Sequence, residues 1–356
     1  MQKYILMSAF YKLAIKEIKK ETPYAVSIVF NIPDELKNNY QFISGQYVTL
    51  KLTLDGQEIR RAYSICSSPK SGELRIAVKA VENGFFSKFA NQSLAAGSLL
   101  EVGTPEGKFI LEPKFDAQKN YAAFAAGSGI TPILSILQTV LEEEPNSTFV
   151  LVYGNKNPEE TIFYNQLHAL QLQHVGRLFV HYVFSRVHVD NHLFGRIDKA
   201  AVNFVLKNKH AQKQFSKYYL CGPEEMINLV TTTLKEQNVP EKDIKFELFS
   251  APVSDNDAVI LPHGNTTITV LVDNEENTFQ MSAKQTLLEA ALKQGLDAPY
   301  SCQGGICSSC IAKITSGTAT MKKNTILTDK EIEEGLVLTC QAHPTSDTIF
   351  VDYDDV

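Results

Sequence analysis

Four cysteines near the C-terminal end of this 356-residue chain follow the pattern Cys302-x4-Cys307-x2-Cys310-x29-Cys340. This is the ligand spacing of a plant-type [2Fe–2S] cluster. The short spacings let one loop wrap a cluster and supply three thiolates, while the fourth arrives from elsewhere in the fold. Gly304 and Gly305 lie inside the loop, where missing side chains let backbone N–H groups approach the sulfides. Zinc sites usually show two short paired spacings, so the pattern favours a cluster over zinc or disulfides. A cluster moves single electrons and performs no hydride chemistry. The rest of the chain should therefore supply the electrons.

Other stretches carry groups suited to flat heterocycles and phosphates. In Arg61-Ala62-Tyr63-Ser64 the arginine can pair with phosphate, the tyrosine ring can stack and the serine can bond a ring nitrogen. The same tetrapeptide also reads as an ordinary strand. Gly84-Phe85-Phe86-Ser87 precedes a helical stretch and offers a phosphate cradle. Gly127-Ser128-Gly129-Ile130-Thr131-Pro132 follows a continuous apolar run, with Thr131 expected as N-cap and Pro132 as the first helical residue. A pyrophosphate suits that turn, although Pro132 breaks the full G-x-G-x-x-G fingerprint. Cys221-Gly222-Pro223 ends a later strand, where the thiol is either a small buried residue or a neighbour of nicotinamide. Ser185-Arg186 ends another and suits the 2′-phosphate of NADP, or is plain surface.

Three patterns of elements must position these groups. Residues 1–115 show short β-type runs (Ala25–Asn31, Tyr47–Leu54, Ala62–Cys66, Glu73–Val81) separated by Gly and Pro turns, as in a small antiparallel barrel. Residues 116–250 change to strand, helix, strand. Apolar runs at Tyr121–Ala126, Thr148–Tyr153, Leu178–Ser185, Tyr218–Cys221 and Ile244–Phe249 predict an open parallel α/β sheet. Its expected helices include Pro158–Leu170, Asp198–Leu206 and Pro223–Glu236. Ligands on such sheets bind beyond the carboxyl ends of the strands. Residues 251–264 read as a linker and 265–356 as a small α+β domain. In that domain strand runs at Thr266–Val272 and Asn277–Met281 precede a helix, Leu287–Gln294, opened by the capping box Thr286-x-x-Glu289. His343 is expected at the surface, because four cysteines already complete the site.

The formal charge of −6 is unevenly placed. Residues 265–356 hold 13 acids and 6 lysines, for −7, and the remainder sums to +1. That suits a solvated face or docking to a basic partner, and no stretch reads as a nucleic-acid binder. The two cysteines outside the cluster pattern, Cys66 and Cys221, are isolated, which fits a reducing cytoplasm. No run of about 18 apolar residues predicts membrane insertion.

The order of barrel, nucleotide sheet and C-terminal cysteine loop resembles the ferredoxin–NADP reductase superfamily over essentially the whole chain. Within it the chain is most similar to oxygenase reductases that carry the ferredoxin last, the group that includes the reductase component of the phenylacetyl-CoA epoxidase complex. The resemblance implies that Arg61 holds flavin phosphate, Tyr63 stacks on the isoalloxazine and Ser64 lies near flavin N5. It places Gly84, Phe86 and Ser87 near the pyrophosphate of FAD, and Gly127, Gly129 and Thr131 at the nicotinamide nucleotide. Cys221, Gly222 and Pro223 would border the hydride-transfer site, with Glu247 and Phe249 on the strand beside the flavin. Ser185 and Arg186 match the family's NADP-type pair and favour NADPH over NADH; the family often has glutamate next, where this chain has Val187. The implied activity is electron transfer from NADPH through FAD and [2Fe–2S] to an oxygenase or other one-electron acceptor protein. Ring-hydroxylating dioxygenases, membrane hydroxylases and desaturases are alternative acceptors, and a redox sensor is the alternative from another class.

Overall fold

The computed structural model describes residues 9–54, 57–82, 84–249 and 264–356. The linker expected at 251–264 lies, apart from Gly264, outside the described residues. The chain forms two compact units, one of residues 10–59 and 63–249 and one of the C-terminal segment, which also takes in Arg60–Ala62.

The first unit begins with an antiparallel sheet of β1 (Phe10–Thr22), β2 (Ala25–Asn31), β3 (Tyr47–Leu54), β4 (Gln57–Ser64), β5 (Leu74–Lys79) and β6 (Leu99–Gly103), in the order β4-β3-β6-β1-β2-β5. Its core is Leu13, Ile15, Ile28, Val48, Leu50, Ile76 and Val102, each at most 2% exposed. The longest strand, β1, carries four lysines and no turn signal, so its Leu13/Ile15 alternation is easily missed in the sequence. It is stabilised as a strand by pairing on both edges, with β2 and β6. The run expected at Ala62–Cys66 starts earlier, at Gln57. One helix, α1 (Phe85–Gln92), follows β5.

The same unit continues into a second sheet of β7 (Asn120–Ala126), β8 (Thr148–Asn155), β9 (Leu178–Phe184), β10 (Leu193–Phe194), β11 (Phe215–Gly222) and β12 (Ile244–Leu248). All its pairings are parallel, in the order β10-β9-β8-β7-β11-β12. The crossovers contain α2 (Ile130–Glu143), α3 (Tyr164–Gln173), α4 (Lys199–Asn203) and α5 (Glu224–Lys235). The winding direction reverses between β7 and β11, which creates a crevice at their carboxyl ends.

Three local expectations need correction. Thr131 is not the N-cap of α2. A 3-10 turn at Gly127–Gly129 runs straight into the helix, so Gly129 holds that position, and Thr131 Oγ1 donates back to the Ser128 carbonyl (3.0 Å). The helix expected from Pro158 begins at Tyr164, because Phe163 adopts a left-handed conformation (φ 61°). The helix expected to end at Leu206 widens instead into a π-helical turn, Phe204–Lys209. A buried network anchors the end of α2. Glu144, fully buried, accepts from Tyr121 Oη, Ser147 Oγ and the Lys114 N–H, while Arg177 donates to the carbonyls of Val140, Leu141 and Glu144.

The second unit holds β13 (Asn265–Val272), β14 (Glu275–Ser282), α6 (Leu287–Lys293), β15 (Ile311–Ser316), β16 (Ala319–Met321), α7 (Asp329–Glu333), β17 (Leu336–Leu338), β18 (Ala342–Pro344) and β19 (Thr348–Asp352). Its main sheet has the order β14-β13-β19-β15-β17, with a β16-β18 ribbon beside it. Leu287, Leu288, Ala290 and Ala291 of α6 pack into its core. The capping box forms as expected, with the Glu289 N–H donating to Thr286 Oγ1 (3.1 Å) and the Thr286 N–H to the Glu289 carboxylate (3.0 Å). His343 is buried at 1% exposure on β18, not at the surface, because the ribbon folds it inward.

Candidate functional site

The crevice at the β7/β11 switch is built by close backbone approach. A Cβ on Gly129 would collide with the Cys221 carbonyl and the Gly222 N–H, so only glycine lets the α2 turn meet the end of β11. Cys221 lies beside Glu247 in the parallel register of β11 and β12. From the antiparallel sheet, Ser64 Oγ donates to Glu247 Oε2 at 2.8 Å. Ser64, Cys221 and Glu247, far apart in sequence, thus converge at one point. Burial pushes the Glu247 carboxyl up to about 7, against the lowering pull of the Ser64 hydrogen bond. Burial, then Glu247, pushes the fully buried Cys221 thiol well above its ordinary range, so it is a neutral thiol. Tyr63, next to Ser64, is half-buried and packs its ring against Phe86 (centroids 5.5 Å apart).

Phe86 itself is 3% exposed and part of the barrel core, so its side chain serves packing. Ser87 Oγ is already engaged, accepting from the Val81 N–H and donating to the Gly84 carbonyl. What this turn offers a phosphate is backbone. No side chain caps α1 at Gly84, and a Cβ there would collide with Val81 and Ser87. Arg61 is exposed, two residues before Tyr63 on β4. Phe249 is also exposed.

Above the parallel sheet lies a cavity of about 510 Å³ lined by Gly127, Asn155, Ser185, Pro223 and residues of the 195–198 turn. Asn155 Nδ2 is buried there without a hydrogen-bond partner, a donor awaiting an acceptor. Three cations line the cavity that sequence reasoning missed; one, Lys156, is paired with Glu160 at 3.0 Å. Lys79 comes from β5, and its Nζ would lie 3.6 Å from a Cβ on Gly127. Arg196 follows β10 in a Gly-Arg step, with an exposed side chain 3.9 Å from Glu225. Arg186 is exposed and does not line this cavity. Single lysines and arginines carry no sequence signal, and only the fold brings these to the crevice.

In the second unit the four thiols fall into two pairs, Cys302 with Cys307 and Cys310 with Cys340, each within hydrogen-bonding reach. All are free, and only Cys302 is more than marginally exposed. Two pairs suit two irons, whereas zinc collects all four ligands on one point. Hydrogen bonding from Cys307 and from backbone N–H groups, including Gly304 (3.3 Å), holds the Cys302 thiol down at about 6, while the same hydrogen bond and burial push the Cys307 thiol up. Ser301 Oγ and Tyr353 Oη are buried nearby with no partner. The donor set, the loop and the unspent hydroxyls fit a [2Fe–2S] cluster.

Fold and sites together define an electron-transferring oxidoreductase with flavin, nicotinamide-nucleotide and iron–sulfur domains. Comparison with known proteins agrees in each part. Residues 12–110 match the oxidoreductase FAD-binding domain, 124–232 the oxidoreductase NAD-binding domain and 270–345 the 2Fe-2S iron-sulfur cluster binding domain. The chain is 37% identical over 351 residues to a component of the 1,2-phenylacetyl-CoA epoxidase of Escherichia coli (strain K12), covering 98% of this chain and 99% of that one. It is 32% identical over 356 residues to the ferredoxin reductase component of 3-ketosteroid-9-alpha-monooxygenase from Rhodococcus rhodochrous, covering 96% of each. Phthalate dioxygenase reductase shares the fold, with a TM-score of 0.61 at 23% identity over 97% of this chain and 98% of that one. The chain belongs to the family of flavin and iron–sulfur reductase components of oxygenase systems, and it uses FAD, a nicotinamide nucleotide and a [2Fe–2S] cluster. No described helix is long and apolar enough to cross a membrane.

Proposed function

We propose that this protein is an NADPH-dependent reductase that feeds a di-iron oxygenase of the phenylacetyl-CoA epoxidase type, in the cytoplasm. The chain is divided at 115/116 and around 251–264 into flavin, nucleotide and ferredoxin domains. The carrying observation is the Ser64–Glu247–Cys221 convergence at the end of β11, whose next residue, Pro223, lines the cavity that presents Lys79 and Arg196. Bound FAD converts a hydride into single electrons, and the cluster carries them one at a time. The chain's own residues position and exclude. Arg61 and the Gly84–Ser87 turn hold flavin phosphates, Tyr63 offers a ring face, and Ser64 with Glu247 holds a proton beside the flavin. Gly127, Gly129, Thr131, Gly222 and Pro223 shape the nucleotide site, and the neutral Cys221 thiol borders it. Cys302, Cys307, Cys310 and Cys340 ligate the irons.

NADPH is favoured over NADH because Arg196 and Ser185 line the cavity and Arg186 stands next in sequence, three groups suited to a 2′-phosphate. The epoxidase-type acceptor is supported by the full-length similarity to the Escherichia coli component. A steroid or ring-hydroxylating oxygenase is the second reading, supported by the Rhodococcus relative.

An anaerobic spectral titration with NADPH, repeated with NADH, tests the proposal. Bleaching of separate flavin and iron–sulfur bands at lower NADPH than NADH is expected. No bleaching with either nucleotide in cofactor-replete protein would overturn the reductase reading and promote a sensor. Oxidation of NADPH coupled to purified epoxidase, but not to a ring-hydroxylating dioxygenase, identifies the acceptor.

A further inference from the structure

The C-terminal unit buries a phenol that the fold itself leaves unused. Tyr353, just past β19, is 2% exposed and packs in the same core as Cys310 and Cys340. Its backbone is fixed, since its N–H donates to the Leu271 carbonyl at 3.0 Å. Its hydroxyl makes no hydrogen bond. Leaving a buried hydroxyl unpaired costs about 1–3 kcal/mol, and phenylalanine would fill the same space without that cost. The obvious polar neighbour is committed elsewhere. Thr339, fully buried, donates both its Oγ1 (2.8 Å) and its N–H (3.1 Å) to the Cys310 carbonyl. Thr339 and the Cys310 and Cys340 thiols are the phenol's polar surroundings.

We propose that Tyr353 is a redox-positioning residue, whose hydroxyl donates to sulfur on the Cys310–Cys340 side of the cluster and raises its reduction potential. Reduction adds one negative charge to the cluster. A donor dipole aimed at its sulfurs is therefore worth more in the reduced than in the oxidised state, and hydrogen bonds to sulfur are an established lever on such potentials. The inference rests on the [2Fe–2S] reading, which iron content and the wild-type absorption spectrum check separately.

The test is Tyr353→Phe in the full-length protein carrying FAD and two irons, compared with wild type by redox titration followed by electron paramagnetic resonance. The cluster's one-electron reduction constant is expected to fall up to about tenfold, a shift of 59 mV at the limit. The cluster-free variant is expected to melt no lower than cluster-free wild type, because only an unpaired group has been removed. An unchanged or raised potential in a fully loaded variant overturns the proposal, as does a lower melting temperature with the potential unmoved, which marks a purely structural tyrosine. Should Tyr353→Phe fail to retain its cluster, difluorotyrosine installed at 353 decides. The more acidic phenol is a stronger donor and must raise the potential, and no shift sinks the idea.

Discussion

At the scale of single residues, Glu247 carries the sharpest pH signature. Its carboxyl ordinarily titrates near 4.5 and is raised to about 7. The folded protein therefore holds a proton that the unfolded chain has released, and stability falls as pH rises from about 4.5 to 7. Glu247→Gln should flatten that dependence and melt a few degrees higher than wild type at pH 8; a melting-temperature series from pH 5 to 8 checks it. Ser64, the hydroxyl paired with this carboxyl, is the companion test. With FAD fully bound, Ser64→Ala should slow flavin reduction by NADPH at least tenfold in stopped flow, and a wild-type rate would remove Ser64 from the proposed role.

At the scale of elements, two packing features invite measurement. The Glu144 network ties α2 to its surroundings through a buried carboxyl. Glu144→Ala leaves the Tyr121 hydroxyl and the Lys114 N–H unpaired, while Ser147 Oγ keeps the Ala117 carbonyl, so a loss of about 3 kcal/mol is expected from urea unfolding. The second feature joins β9 to the π-helical turn, where His181 Nε2 and His210 Nε2 lie 2.8 Å apart. Burial, with His210 and Lys209 adding to it, pushes His181 down to about 4, and burial with Lys213 and Lys209 lowers His210. Both imidazoles are neutral in the fold and charged in the acid-unfolded chain. Their contribution is complete above pH 6.5 and is lost as pH falls toward 4. His181→Gln should reduce the slope of the urea midpoint across that window.

At the scale of the whole molecule, the two compact units have separate cores. Residues 1–249 expressed alone should bind FAD and reduce ferricyanide with NADPH. Residues 264–356 should assemble a cluster without the rest. The charge asymmetry belongs here too. If the −7 of residues 265–356 serves docking, electron transfer to the oxygenase will fall as salt rises from 50 to 300 mM, while ferricyanide reduction stays flat; equal salt sensitivity would assign the charge to solvation.

Chemistry whose signals are local was legible in the residues alone. C-x4-C-x2-C, the Thr286–Glu289 capping box and the apolar run before Gly127 each depend on neighbours a few residues away, and the capping box and the strand fold as expected. Ser64 and Glu247 were legible as candidates, but their 2.8 Å hydrogen bond joins positions 183 residues apart. Features that depend on distant backbone emerged only from the folded chain: β1 as a strand despite its lysines, Gly129 rather than Thr131 at the start of α2, and His343 inside. Folding also brought Lys79 and Arg196 to the nucleotide cavity and left Tyr353 unpaired beside the cysteines. The physical reason is common to all of these. A local pattern records what a residue prefers, whereas pairing, burial and charge environment are set by elements that the chain brings together only when it folds.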